Sequence, residues 1–316
     1  MNIRRSVIGF GVIFSLIALV HEAEAFWVWT PETGRWINPK YAAKETAEEQ
    51  FRWAQEFYDS GDYARAIAEW RKLIKRFPSS ELASEAQYHI GLALQASSRH
   101  YEAFLAYQKV LDDYPKTRRV KEVIEKEYQI ANLFYTAQTG GGRSSAKEKA
   151  VEIFRKVVEG APYGEHADIA QYKIGLYYME SGRYQEAIGA FDRIVDGYPN
   201  SDLLDDARFQ IAGCLYKCAL KAEYDQEGIE KAINEFEDFI QNFPDSNMVL
   251  QAKEMIARLN GKEAERAFEI AQFYERQGQI DSAVIYYKEV RDKYGQTSWA
   301  SGALERIIAL ERESGD

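Results

Sequence analysis

Cysteine is nearly missing from this chain of 316 residues, which holds only Cys214 and Cys218. That excludes the disulfide framework that staples small exported domains. The pair lies four apart in Cys-Leu-Tyr-Lys-Cys, and a helix there fixes the two Cβ vectors nearly parallel, which suits a disulfide badly. No neighbouring His or Cys completes a metal site, so both are expected to be small buried hydrophobes. Histidine is scarce as well, at four. His89 falls in a helical stretch, His100 and His166 fall in or near turns, and none stands in a triad or ligand pattern. No phosphate loop occurs, because Gly140-Gly141-Gly142 lacks the Gly-Lys-Ser that would have to follow. The chain is therefore expected not to be an enzyme and to need no cofactor and no metal. Positive charge is also short, with 40 Lys and Arg against 50 Asp and Glu, a net −10. Nucleic acid, whose phosphates reward a basic footprint, is excluded as a partner. Proline numbers only seven, and frequent Ala, Glu, Lys and Leu favour helices.

One long apolar run exists, Val7 to Val20, preceded by Arg4 and Arg5 and followed by Ala23-Glu24-Ala25. A basic start, a short apolar stretch and a small-x-small site are the parts of a signal peptide. The run falls short of the about 20 residues needed to span a bilayer. Residues 1–25 are read as that signal, with Phe26 as the mature start. A lipoprotein cysteine is missing after the run, since the first cysteine is Cys214, so no lipid anchor is expected. Losing the signal removes two arginines and two glutamates and leaves the charge at −10.

What is present is repetition. From Asp168 to Ser201, Gly175 and Tyr178 lie in a first helix, Gly182 marks a turn, Ala187, Phe191 and Ile194 lie in a second helix, and Pro199 closes the unit. These spacings fit the tetratricopeptide pattern of about 34 residues. The frame recurs at Ala54, Phe57, Gly61, Ala66, Trp70, Leu73 and Pro78, and again at Gly91, Leu94, Ala103, Tyr107, Val110 and Pro115. It recurs near the C-terminus at Ala271, Tyr274, Gly278, Ala283, Tyr287 and Val290, with Gly295 in place of proline. Two further units carry longer inter-helix loops, one through the insertion Thr139-Gly-Gly-Gly-Arg-Ser-Ser145 and one from Lys221 to Gly228. Small residues let paired helices approach, large ones fill the holes beside them, and neighbouring pairs must stack to bury their faces. The expected fold is all-α, a superhelical tetratricopeptide solenoid of about six helix pairs over residues 47–296. An additional helix is expected over Asn247–Asn260, continuing past Gly261. Residues 297–316 are expected to form a polar capping helix.

Residues 26–46 differ. Trp27, Trp29 and Trp36 flank a Pro-Glu-Thr-Gly turn in which Gly34 can take positive φ, so a short hairpin with Trp29 near Trp36 is expected. It serves either to pack on the first repeat or to attach the chain to a partner. The first helices of a tetratricopeptide array line its inner groove. In this frame the inward positions hold Phe51, Gln55 and Tyr58, then Tyr88 and Leu92, then Tyr128 and Tyr135, then Tyr172, Leu176 and Met179. An aromatic in each repeat suits extended-peptide binding, since tyrosine offers broad contact at low entropic cost. Packing between neighbouring first helices is the other reading of the same residues.

The units ending in Phe-Pro-Ser-Ser, Tyr-Pro-Lys-Thr, Tyr-Pro-Asn-Ser and Phe-Pro-Asp-Ser resemble the BamD family of assembly factors for outer-membrane β-barrels. The closest stretch runs from Gly228 to Ser246, followed by the long helix and Ala271-Gln-Phe-Tyr-Glu-Arg-Gln-Gly278. The resemblance extends from about Thr46 to Leu310. It implies a periplasmic scaffold at the inner face of the outer membrane, held there through its partners. Those partners are the barrel insertase, other assembly components and unfolded barrel peptides. A Tol-Pal or cell-wall coordinating protein is the alternative with the same kind of exported repeats.

Overall fold

The computed structural model describes residues 28–30, 34–37, 42–137, 143–221 and 226–313. The signal segment, Phe26, Trp27 and most of the two long inter-helix loops lie outside the described residues. The chain divides into two compact units between Ser98 and Arg99.

The first unit opens with strands β1 (Val28–Thr30) and β2 (Arg35–Ile37), paired antiparallel with Trp29 opposite Trp36. Gly34 enters β2 at φ 62°, the left-handed conformation that glycine adopts without penalty. Helices α1 (Ala47–Asp59), α2 (Tyr63–Arg76) and α3 (Glu81–Ala96) follow. Each has a side chain at its N-terminus to satisfy a free backbone donor. Thr46, Asp62 and Ser80 accept from the N–H groups of Glu49, Arg65 and Leu82. Ala54 and Ala66 are wholly buried, so α1 and α2 lie close, and Trp70 and Leu73 fill the space beside them. Burial of each of these larger side chains contributes roughly 2 kcal/mol.

The second unit holds α4 (His100–Asp113), α5 (Val120–Thr136), α6 (Arg143–Gly160), α7 (Ala167–Glu180) and α8 (Tyr184–Gly197). It continues with α9 (Leu204–Lys221), α10 (Gln226–Asn242), α11 (Val249–Arg276), α12 (Ile280–Lys293) and α13 (Trp299–Glu313). Each helix packs on the next, as the repeat pattern requires. Gly175 shows why small residues hold the first-helix position: a Cβ there would come within 2.5 Å of the Phe191 ring.

Two local motifs recur at the joints. First helices α1, α7 and α11 end in a left-handed glycine, Gly61, Gly182 or Gly278. The next N–H reaches back five residues, as from Arg183 to the Tyr178 carbonyl at 2.9 Å. After α3 the same place is taken by Ser98 at φ 60°. Second helices α2, α4, α8 and α10 are followed by a Pro-x-Ser/Thr turn whose hydroxyl starts the next helix. Ser201 accepts from the Leu203 N–H at 3.1 Å and donates to Asp168 at 2.6 Å, and Ser246 repeats this with Met248 and Asp205. Proline breaks the helix there, and the hydroxyl oxygen accepts from an N–H at the start of the next helix that has no partner within that helix.

Helix α11 runs unbroken through Gly261 for 28 residues and serves two cores. Its first half contributes Ala252 and Leu259 to a cluster with α9 and α10, and its second half contributes Ala264, Phe268 and Ala271 to one with α12 and α13. The inter-helix loops are shorter than the sequence pattern suggests. α6 begins at Arg143 and takes in Ser144 and Ser145 of the expected insertion, and α10 begins at Gln226, inside the expected Lys221–Gly228 loop.

Candidate functional site: the face of the first helices

In the first unit, the candidate residues of α1 and α3 build an aromatic cluster. The half-buried Phe51 ring lies 6.1 Å from Trp70 and edge-on to His89 at 5.0 Å. Tyr58 lies 5.8 Å from Trp70 and 5.4 Å from Tyr63. Burial, with Tyr63 and Asp59 nearby, raises the Tyr58 hydroxyl above its ordinary pKa, which keeps it a hydrogen-bond donor. Gln55 donates along its own helix to Asp59 at 2.8 Å. Tyr88 is only 5% exposed, so its ring belongs mostly to the core, and Leu92 is half-buried. The structure thus draws Phe51 and Tyr58 together on Trp70 and turns Tyr88 inward.

In the second unit the same repeat positions carry a different chemistry. Tyr128 and Tyr135 of α5 lie 6.0 and 5.9 Å from Phe154 of α6. The ammonium of Lys173, from α7, sits among these three rings at 5.4 Å from Tyr128, 5.8 Å from Tyr135 and 5.4 Å from Phe154. It also donates to the Asn132 side-chain carbonyl. Tyr128 stacks on His166 at 4.0 Å, almost parallel, and His166 meets Glu125 at 2.6 Å. Burial alone would raise the Glu125 carboxyl, but hydrogen bonds from His166 and Gln129 outweigh it and hold the group below its usual range. Burial, reinforced by Glu180, pushes the Tyr135 hydroxyl up to about 12. Lys147 lies 5.1 Å over the Tyr135 ring and pairs with Glu180. Tyr172 packs on Phe191 at 5.4 Å, and burial, with Asp206 and then Asp205, raises its hydroxyl. Leu176 and Met179 are half-buried on the same helix. This face offers tyrosine donors, an amide and two ammonium groups, a set able to hold the carbonyls and side chains of an extended chain.

Two features escaped the sequence reading. Lys173 directly follows Tyr172 and bears no motif, yet it is the cation on which the tyrosines converge. A second feature lies at one first-helix position of four repeats, where Gln50, Gln87, Glu127 and Gln171 are all buried. Gln50 reaches the Glu69 carbonyl at 3.1 Å and Gln171 the Ala190 carbonyl at 2.9 Å, each bond joining the first helix of a repeat to its second. Glu127 departs from this: it accepts from Gln108 at 2.7 Å, and its other oxygen has no partner. Recurrence of glutamine at that one position is the signal that could have found it.

Trp29 and Trp36 meet edge-on at 5.7 Å and remain 47% and 62% exposed. Cys214 and Cys218 are free thiols, and burial pushes Cys214 up to about 12. Among the described residues no cluster of His, Cys, Asp and Glu could hold a metal ion. No described helix is long and apolar enough to cross a membrane.

Comparison with known proteins matches residues 125–315 to the family described as YfiO, outer membrane lipoprotein. Residues 51–116 match the tetratricopeptide repeat. An outer membrane protein assembly factor BamD from Caulobacter vibrioides is 26% identical over 186 residues, 59% of this chain and 61% of that protein. A BamD from Rickettsia prowazekii is 24% identical over 161 residues, 51% of this chain and 64% of that protein. Both alignments span less than two thirds of the relative's length. A solved tetratricopeptide repeat protein from Parabacteroides merdae is 17% identical, covering 84% of this chain and 99% of that one, at a TM-score of 0.32.

Proposed function

The chain belongs to the YfiO outer membrane lipoprotein family, and from that premise we propose that it is a non-catalytic scaffold in outer-membrane protein assembly. It acts on the periplasmic side of that membrane. Its first helices bind the barrel insertase and segments of unfolded barrel proteins. The observation that carries this reading is the convergence of Tyr128, Tyr135 and Phe154 on Lys173, with Tyr172 and Lys147 beside them. Such a face combines broad ring contact with donors for backbone carbonyls, which is what an extended chain of varied sequence requires. The exposed Trp29–Trp36 hairpin is proposed as an attachment point, because two rings held edge-on offer an apolar contact fixed in advance.

The test is crosslinking in whole cells, followed by solubilisation of the envelope and identification of what co-purifies. Recovery of the barrel insertase supports the assembly role. Recovery of peptidoglycan-binding or Tol-Pal components alone moves the function to envelope coordination and overturns it.

A further inference from the structure

Lys253, Arg258 and Lys262 line a cleft of about 630 Å³ where α11 passes from one core to the other, closed on its far side by Thr297 and Trp299 before and at the start of α13. Gly261 lies in its wall and leaves the helix bare there, since a Cβ would meet nothing within 4 Å. The Trp299 ring is fixed by contact with Phe268 at 5.3 Å, so it forms a rigid apolar side to the cleft.

Three cations come together at this place. Elsewhere on α11, α12 and α13, Arg266, Lys288, Arg291, Lys293 and Arg306 each meet a carboxylate. Lys253, Arg258 and Lys262 pair with none among the described residues, and a single carboxylate, Glu265, shares the lining. In a chain of net charge −10, three unpaired cations around one concavity make a local positive field, focused by the low-dielectric wall behind it.

We propose that this cleft docks an acidic segment of a partner protein. Its carboxylates would pair with Lys253, Arg258 and Lys262 while its backbone lies along Gly261 against the Trp299 ring. The concavity favours a protruding peptide over a membrane surface, because a flat layer of headgroups meets the exposed Lys253 and Arg258 but does not enter to the half-buried Lys262, Gly261 and Trp299. This surface is separate from the tyrosines of α5 and α7, and the inference stands without the reading given to them.

The test uses the full chain and a fluorescein-labelled peptide of alternating aspartate and glycine, followed by fluorescence anisotropy. Binding is expected, weakening as sodium chloride rises from about 50 to about 200 mM. The triple variant K253E/R258E/K262E should lose about tenfold or more in affinity, whereas K253R/K262R, which keeps the charge, should stay within about twofold. A thermal melt of the triple variant guards against misfolding, and R258Q alone, a milder change, should still lose about threefold. Unchanged peptide affinity in both R258Q and the triple variant overturns the proposal, as does no binding to the unaltered chain. So does binding to vesicles containing phosphatidylglycerol that the triple variant loses while the peptide stays unbound, which would assign the cleft to lipid.

Discussion

The first helices of the two units carry aromatic residues at the same repeat positions and use them differently. On α1 the rings of Phe51 and Tyr58 gather on Trp70, an apolar cluster in which His89 is the polar neighbour. On α5 and α7 the rings of Tyr128 and Tyr135 gather around a lysine, with Lys147 and Glu180 alongside. A repeat frame fixes where a side chain points, and the neighbouring repeat decides what it meets. The first arrangement is therefore expected to behave as core and the second as a surface for recognition.

The largest effect should come from breaking the first cluster at its centre. Trp70 is wholly buried, and Trp70→Ala is expected to cost about 4 kcal/mol, read as a lowered denaturation midpoint. Removing the cation from the second arrangement should do far less to stability. Lys173→Met keeps the length of the side chain and loses only the ring contacts and the bond to Asn132, about 1 kcal/mol. Its main effect is expected on recognition, as weaker crosslinking to partners. Equal destabilisation by the two substitutions would erase the distinction between core and surface.

Glu127 lies between these extremes in effect and sharpens the contrast through pH. Burial is the main reason its carboxyl is pushed up to about 7, from 4.5 in an unfolded chain, with Asp112 adding to the rise and Gln108 opposing it. The folded state therefore keeps a proton that the unfolded state has lost across that window. The Glu127 penalty is therefore absent below about pH 4.5 and grows as pH rises toward about 7, above which it is complete. Glu127→Gln is expected to raise stability by about 2 kcal/mol at about pH 8 and to change little near pH 4.5. A gain that is the same at both pH values would contradict a buried, ionisable Glu127.

The smallest predicted effect is at the turn after α3. Ser98 holds the left-handed conformation that Gly61, Gly182 and Gly278 hold elsewhere. Ser98→Gly is expected to add about 0.5–1 kcal/mol, seen as a small rise in melting temperature.

Much of the fold was legible because the repeat signals are local. Gly182 and Pro199 mark turns by their own backbone limits, Gly175 and Ala187 mark helix contacts by size, and the run through Gly261 keeps helical character on both sides. The Trp29–Trp36 pairing followed from the turn between them. The candidate site was half legible. The positions of Tyr128, Tyr135 and Tyr172 could be read from the frame, but their partners could not, because these come from the next repeat. Lys173 meets Asn132 and His166 meets Glu125 across 41 residues, a separation at which no pattern within one repeat carries information. Tyr88 turned inward for a related reason, since the frame alone does not say how deeply a neighbour covers a ring. The buried glutamines were missed because amides read as surface until the partner carbonyl is placed.

The central claim, that the face of α5 and α7 engages the outer-membrane assembly machinery, is tested most directly by site-specific photocrosslinking in living cells. A photoreactive phenylalanine analogue would replace Leu176 on that face and, as a control, Arg193 on α8. The account predicts crosslinks to the barrel insertase or to unfolded barrel proteins from position 176 and not from position 193. Crosslinks from 193 alone, or from 176 only to cell-wall components, would contradict it.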